Sequence, residues 1–369
     1  MLSELRIRNF KSIRDVELTL GRINVFIGEN GCGKSNLLEA VALTGAAIGD
    51  KLDNEFLVSR GIRVTEPQHM RSAFCPEDPE IRITGRHGED PLSIEVASTG
   101  DTSYLHLQSD VHQGLLDPSE TEALSHADVN TLMKRVREAI SRRNTRLRPL
   151  IEFVIYSPEN TALRTFEVEG QIQPLGIRGE GLFKLLKTLS TDVDHITAIK
   201  DNLRLIDWFS DLRIPTDLAP YERHLEIRDR YFDELEAPAY FDQRSANEGF
   251  LFLLFFFTLF VSQSTPKLFA IDNIDASLNP KLCTELMRRL VLLARAHDKQ
   301  VLITTHNPAI LDGLNLHEED QRLIAVYRNS KGHTRTRPIA APIPLAGEPP
   351  VKLSEAFSRG LLGGLPQNF

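Results

Sequence analysis

The chain has 369 residues, with 43 Lys and Arg against 51 Asp and Glu, a net charge of −8, and 41% hydrophobic residues. That is the balance of an ordinary globular protein able to bury a large core, and it excludes a surface that binds nucleic acid all over. Three scattered cysteines, Cys32, Cys75 and Cys283, lack disulfide or metal-ligand spacing and fit a reducing cytoplasm. The alternating, charged start MLSELRIRNFKSI is not a secretory signal.

In chain order, the first 27 residues read as two strands, one alternating around Leu5 and Ile7 and one at 23–27 that runs into a glycine cluster. The run NLLEAVALTGAAI predicts a helix from Lys34 to about Ile48. Short alternating runs between 80 and 108, separated by turns, predict an antiparallel meander. Residues 109–148 read as polar and helical, 151–156 (IEFVIY) as a strand, and 181–236 as helical with breaks at Pro215 and Pro220. The last third alternates as an α/β core: helix 249–262, strand KLFAID, helix 280–297, strand QVLITT and strand RLIAVYR. Within it, Phe250 to Val261 holds six of the 19 phenylalanines in twelve residues. A bilayer span needs about 18 apolar residues, so this run predicts a helix buried on all sides, and no membrane segment is expected. Trp208, in the amphipathic run LRLIDWFSDL, reads as packing.

Gly28-Glu29-Asn30-Gly31-Cys32-Gly33-Lys34-Ser35 fits G-x-x-x-x-G-K-[ST] at every fixed position, after an apolar strand and before a helix. Glycines there let backbone N–H groups turn around phosphates, and the helix N-terminus adds partial positive charge. Lys34 is expected at the β- and γ-phosphates and the Ser35 hydroxyl on Mg²⁺, with Asn30 and Asn36 counted among the nucleotide-binding residues. Such a site needs an acid at the end of a second core strand, and LFAID supplies Asp272 for the metal. Asn273 follows where many such ATPases carry a glutamate; it can orient water but cannot accept a proton. Asp275 substitutes as a base only if the turn brings it close. His306, after strand 301–305, is either a γ-phosphate sensor or a cap for the helix after Pro308.

The ordered set LRIRNFKSI, GENGCGKS, LFAIDNIDASLNP and VLITTHNP resembles ABC-type AAA ATPases of the SMC/RecF class, on the compact branch of OLD-like nucleases and Septu-type anti-phage ATPases. The likeness covers nearly the whole chain. It implies an α/β head with a P-loop core sheet, an antiparallel meander and an inserted helical lobe. The implied parts are 1–108 (P-loop and meander), 109–240 (lobe around strand 151–156), 241–337 (signature, acidic strand and switch histidine) and 338–369 (tail). It further implies that two heads sandwich two ATP molecules with Mg²⁺, each signature segment reaching the partner's γ-phosphate. The matching segment is Gln243 to Gly249, in which Ser245 or Asn247, with Glu248 and Gly249, would face that phosphate. Residues 274–279 resemble the loop that crosses the dimer interface, Glu159 or Asn160 stands where the lobe glutamine falls, and Lys11 and Ser12 match a segment that packs near the nucleotide.

Asn273 resembles a hydrolysis-impaired site and implies slow turnover. The expected function is a cytoplasmic, nucleotide-gated homodimer or higher oligomer in anti-phage defence. One head with its lobe nearly uses up the length, which suggests a separately encoded effector, most naturally a nuclease. A RecF/SMC-like repair ATPase that clamps DNA with productive hydrolysis is the alternative. The basic stretch 134–148, with seven Lys or Arg against Glu138, is the expected place for a nucleic-acid contact, and Arg328, Lys331, Arg335 and Arg337 form a second basic cluster.

Overall fold

The structure, a computed structural model, describes residues 1–99, 103–108, 145–166, 174–215, 218–219, 222–234, 240–342 and 351–362. The chain forms two compact units whose segments interleave: Met1–Gly21 with Asn30–Phe153 and Val326–Arg337, and Arg22–Glu29 with Val154–Ala325 and Pro338–Phe369.

The first unit is built on an antiparallel sheet. The N-terminus folds as a hairpin of two strands, β1 (Leu2–Phe10) and β2 (Ile13–Thr19), so 1–27 holds three strands where two are predicted. The turn explains the difference: Asn9 and Lys11 take left-handed backbone, which splits the alternating run in two. The predicted meander is present as β4 (Glu80–His87), β5 (Asp90–Thr99) and β6 (Ser103–Gln108), giving the order β2-β1-β4-β5-β6. Gly85 permits the β1–β4 approach, since a Cβ there would come within 2.3 Å of the Glu4 carbonyl oxygen. Helix α1 (Lys34–Ile48) matches its predicted bounds and is followed by α2 (Asn54–Ser59).

The second unit holds the core parallel sheet, with strands β3 (Ile23–Ile27), β7 (Ile155–Tyr156), β11 (Leu268–Ile271), β12 (Gln300–Thr305) and β13 (Gln321–Arg328) in the order β13-β3-β12-β11-β7. Their pairings are all parallel. From Val326 onward β13 belongs to the first unit, where a turn at Asn329–His333 leads into β14 (Thr334–Ile339). β3, β11 and β12 are buried along their whole length, as strands covered on both faces should be.

Helix α6 (Glu248–Val261) realises the Phe-rich prediction: every residue from Phe250 to Val261 is buried. At its far end Lys299, 1% exposed, donates to the carbonyls of Ser262 (2.8 Å), Thr265 (2.9 Å) and Pro266 (3.3 Å) and to the Thr265 hydroxyl. Around α6 pack α3 (Asn160–Thr165), α4 (Leu182–Leu189) and α5 (Val193–Leu203), while α7 (Pro280–Ala296) follows β11. Trp208 stacks at ring-centroid distances of 5.4 Å on Phe250 and 5.9 Å on Phe241, the packing role expected of it. The final helix α8 (Leu353–Ser358) is tied down by Asp312, which accepts from the Ser354 backbone N–H and hydroxyl.

Two predicted elements differ. Residues 145–151 are helical, so IEFVIY contributes only Ile155–Tyr156 as strand. The reading of 181–236 as helical holds for α4 and α5, but beyond them lies a small sheet, β8 (Phe209–Arg213), β9 (Glu226–Asp229) and β10 (Phe241–Asp242), ordered β10-β9-β8. Among the described residues no helix is long and apolar enough to cross a membrane.

Candidate nucleotide site

The phosphate loop follows β3 and ends where α1 begins. Gly31 (φ 74°) and Gly33 (φ 108°) take left-handed backbone, and Gly33 is the N-cap of α1 with no capping side chain. Gly33 is required there twice over: its φ disfavours any side chain, and a Cβ would sit 2.3 Å from Thr334 Oγ1. Lys34 is buried, its Nζ 4.0 Å from Cys32 Sγ, and Asn36 donates from Nδ2 to Ser12 Oγ at 2.7 Å. Lys11 lies against α1, where its ammonium pairs with the buried Glu39 and donates to the Arg63 carbonyl at 2.9 Å. Burial pulls the Lys11 pKa below the ordinary lysine value, and Glu39 opposes that pull.

Register in the second unit decides what emerges at one edge of its sheet. Ile27 pairs with Thr305, Ile271 with Ile303 and Tyr156 with Ile271. Because the strands are parallel, Gly28, Asp272, His306 and Ser157 all leave the sheet at its carboxyl edge, where open α/β sheets bind ligands. The Asp272 carboxylate accepts from the Thr304 hydroxyl, and Thr304 Oγ1 accepts the Asn273 N–H at 2.9 Å. Asn273 is exposed with φ 55°.

The turn does bring Asp275 close to the edge, but its Oδ1 is engaged: it accepts from the Thr305 hydroxyl at 2.6 Å and the His306 N–H at 3.3 Å. The histidine side chain is exposed, and the helical turn Pro308–Gly313 is capped by Asn307 through the Ala309 N–H at 3.0 Å. Capping is therefore the work of Asn307, not of His306. Glu159 precedes α3 and forms an exposed ion pair with Arg178 at 3.4 Å. Asn160 accepts from Arg164 at 3.2 Å.

The signature segment leads into α6. Asn247 is its N-cap, accepting the Phe250 N–H at 2.8 Å, so this side chain serves the helix; Ser245 is exposed, its Oγ 3.5 Å from Asp242 Oδ1. Glu248 lies in the first turn, and a Cβ on Gly249 would stand 3.4 Å from the Ser277 carbonyl oxygen. Arg164 of α3 holds the segment by donating to the Arg244 and Ala246 carbonyls, and Gln243 returns a bond to the Arg164 carbonyl at 3.2 Å. Thr304 and Arg164 escape sequence reasoning; the doubled threonine before His306 is the only local signal for the former.

Residues 134–144 of the basic stretch lie outside the described residues, while Arg146 pairs with Asp90 and Arg148 with Glu152. In the second basic cluster, Arg328 donates to the Gly31 carbonyl and Arg335 to the Asp15 carbonyl.

Residues 1–56 match the family of AAA ATPase domains, and residues 182–312 match the family described as AAA domain, putative AbiEii toxin, Type IV TA system. The chain is 28% identical over 114 residues to the OLD nuclease of Thermus scotoductus, 27% of this chain and 21% of that protein. It is 29% identical over 113 residues to the DNA replication and repair protein RecF of Listeria monocytogenes, 29% of this chain and 26% of that protein. It is 24% identical over 332 residues to the Septu protein PtuA of Bacillus mycoides, 85% of this chain and 39% of that protein. The matches thus span well under half the length of these relatives. Among solved structures, an SMC head bound to the C-terminal winged-helix domain of ScpA superposes with a TM-score of 0.55 at 15% identity, over 92% of this chain and 98% of that one.

The fold is that of an SMC head domain, and the order of the motifs resembles ABC-type ATPases of the SMC/RecF kind. Within that likeness, its similarities include OLD nuclease and Septu PtuA.

Proposed function

We propose that the chain binds ATP with Mg²⁺, hydrolyses it slowly, pairs with a second copy through the bound nucleotide, and thereby gates a separately encoded effector, a nuclease in the first instance, in anti-phage defence. The observation that carries this reading is the shared carboxyl edge of the parallel sheet, from which Gly28, Asp272 and His306 all emerge. The residues suit the ligand. Gly31 and Gly33 give the loop the backbone that cradles phosphate, Lys34 neutralises the β- and γ-phosphates, and the hard oxygens of Ser35 and Asp272 suit Mg²⁺. Held by Ser35 and Asp272, a magnesium ion would supply positive charge against the phosphates.

Asn273 orients water without taking its proton, which supports slow turnover; general-base assistance is worth about 10²–10⁴-fold. His306 is the γ-phosphate sensor in this reading, and Asp275 links the turn after β11 to it by holding the His306 N–H. Ser245, with Gly249, faces the phosphate on the second copy. Similarity to OLD nuclease and Septu PtuA supports the defence role. Similarity to RecF supports a second reading, a DNA clamp with productive ATP cycles.

Calorimetric titration of MgATP, with light scattering of the same samples, tests the proposal. Wild type should bind and roughly double its mass in ATP, and Lys34→Ala should do neither. A monomer at saturating ATP contradicts the pairing, and hydrolysis strongly stimulated by DNA selects the clamp.

A further inference from the structure

The sequence singles out Arg328 as part of a basic cluster, and in the first unit this exposed side chain reaches the phosphate loop. Its Nε donates to the Gly31 carbonyl at 3.0 Å, and a second guanidinium nitrogen donates to the Gly332 carbonyl at 3.0 Å. From the start of β14, the buried Thr334 hydroxyl donates to the Cys32 carbonyl at 2.8 Å. The turn that carries both residues is itself anchored. Asn329 Oδ1 accepts the N–H groups of Lys331 and His333 at 3.0 Å, and the His333 ring packs edge-on against Phe74 at 4.6 Å.

The hydroxyl protons can be assigned by elimination. Thr334 has one O–H, and it is spent on Cys32. Its 2.7 Å contact with Ser12 Oγ must therefore use the serine proton, and Ser12 in turn accepts from Asn36 Nδ2 at 2.7 Å. The chain of bonds runs one way, from Asn36 through Ser12 and Thr334 to the Cys32 carbonyl. Such directed chains polarise one another and fix geometry better than isolated bonds.

The consequence lies in the peptide planes. The Gly31 carbonyl shares its plane with the Cys32 N–H, and the Cys32 carbonyl with the Gly33 N–H; in a trans peptide the two groups point oppositely. Holding both carbonyls toward the β13–β14 turn directs both N–H groups away from it. Those N–H groups belong to the loop that would cradle the α- and β-phosphates.

We infer that Thr334 and Arg328 are positioning residues that preset the phosphate loop for the diphosphate of a nucleotide. The inference rests on the ATP-binding reading above and adds residues about 300 positions from the motif in sequence. A preset loop binds tightly because ordering is not charged against binding. The effect belongs to the diphosphate, so ADP and ATP should feel it equally.

The test is the affinity of the full chain for MgADP and MgATP, with thermal melts of each variant. Thr334→Val, which keeps shape and loses the hydroxyl, should weaken both nucleotides about tenfold, and Thr334→Ser should restore them. Arg328→Met, at an exposed side chain whose loss leaves folding intact, should weaken both about fivefold without lowering the melting temperature. If Lys34→Ala abolishes binding while Thr334→Val and Arg328→Met bind within twofold of wild type, the inference is overturned and the ATP reading stands. If wild type binds neither nucleotide, both fall. Loss of DNA binding in Arg328→Met with unchanged nucleotide affinity also overturns the inference.

Discussion

Asn273 has a φ of 55°, inside the left-handed region that asparagine tolerates better than other residues bearing side chains. Its backbone N–H and the Asp272 carboxylate converge on one hydroxyl, that of Thr304. Replacing that threonine by valine keeps the β-branched packing of a fully buried residue and strips both neighbours of a partner. Thr304→Val should therefore cost about 1–3 kcal/mol in urea unfolding and weaken the Mg²⁺ dependence of nucleotide binding. Unchanged unfolding would show that Thr304 holds neither group. At this scale the sequence is legible where chemistry sits in consecutive residues: the phosphate loop, Asp272, Asn273 and His306 each follow an apolar strand in a recognisable string. It is silent where partners are remote. Thr334 reaches Cys32 across 302 positions, and nothing in TRTRPI marks a threonine that holds a carbonyl.

Helix α6 shows how an element can be legible while its fastening is not. Twelve residues in succession, apolar but for Thr258, require full burial, and burial is found. The fastening of its C-terminal end comes from Lys299, whose ammonium meets three backbone carbonyls and a hydroxyl. A cation suits the negative end of a helix, and an aliphatic replacement leaves buried acceptors unsatisfied. Lys299→Met should destabilise by about 1–3 kcal/mol, seen as an earlier urea midpoint, and loss of less than a few tenths would contradict the role. Elsewhere short runs mislead. FSDLR and EIRD are too brief for periodicity to separate strand from helix, and Pro215 reads as a helix break where it follows a strand of a small sheet. The run IEFVIY is apolar throughout, so nothing in it marks where the helical 145–151 ends and Ile155 begins to pair with Ala270.

At the scale of the molecule the chain passes repeatedly between two units, with β3 in one and α1 in the other. Carboxylates in both units are held below the ordinary aspartate value of 3.8: Asp15 by the bond from Arg6, Asp298 by that from Lys267 and Asp320 by that from Arg295. A depressed folded value means the unfolded chain takes up these protons first, so their stabilisation is complete above about pH 4 and is lost as pH falls through the folded values. Melting temperature should be flat toward pH 5 and fall below pH 4; an equal fall between pH 7 and 5 would point to other groups. The net charge of −8 keeps any nucleic-acid contact local. The central proposal is a head that would hold ATP longer than it spends it. The direct measurement is the steady-state ATPase rate of wild type and Asn273→Glu at saturating MgATP. The account predicts slow wild-type turnover and a rise of about 10²-fold or more in the variant. Fast wild-type turnover that is unchanged in Asn273→Glu and lost in Asp275→Ala would contradict it, and would make Asp275 the base.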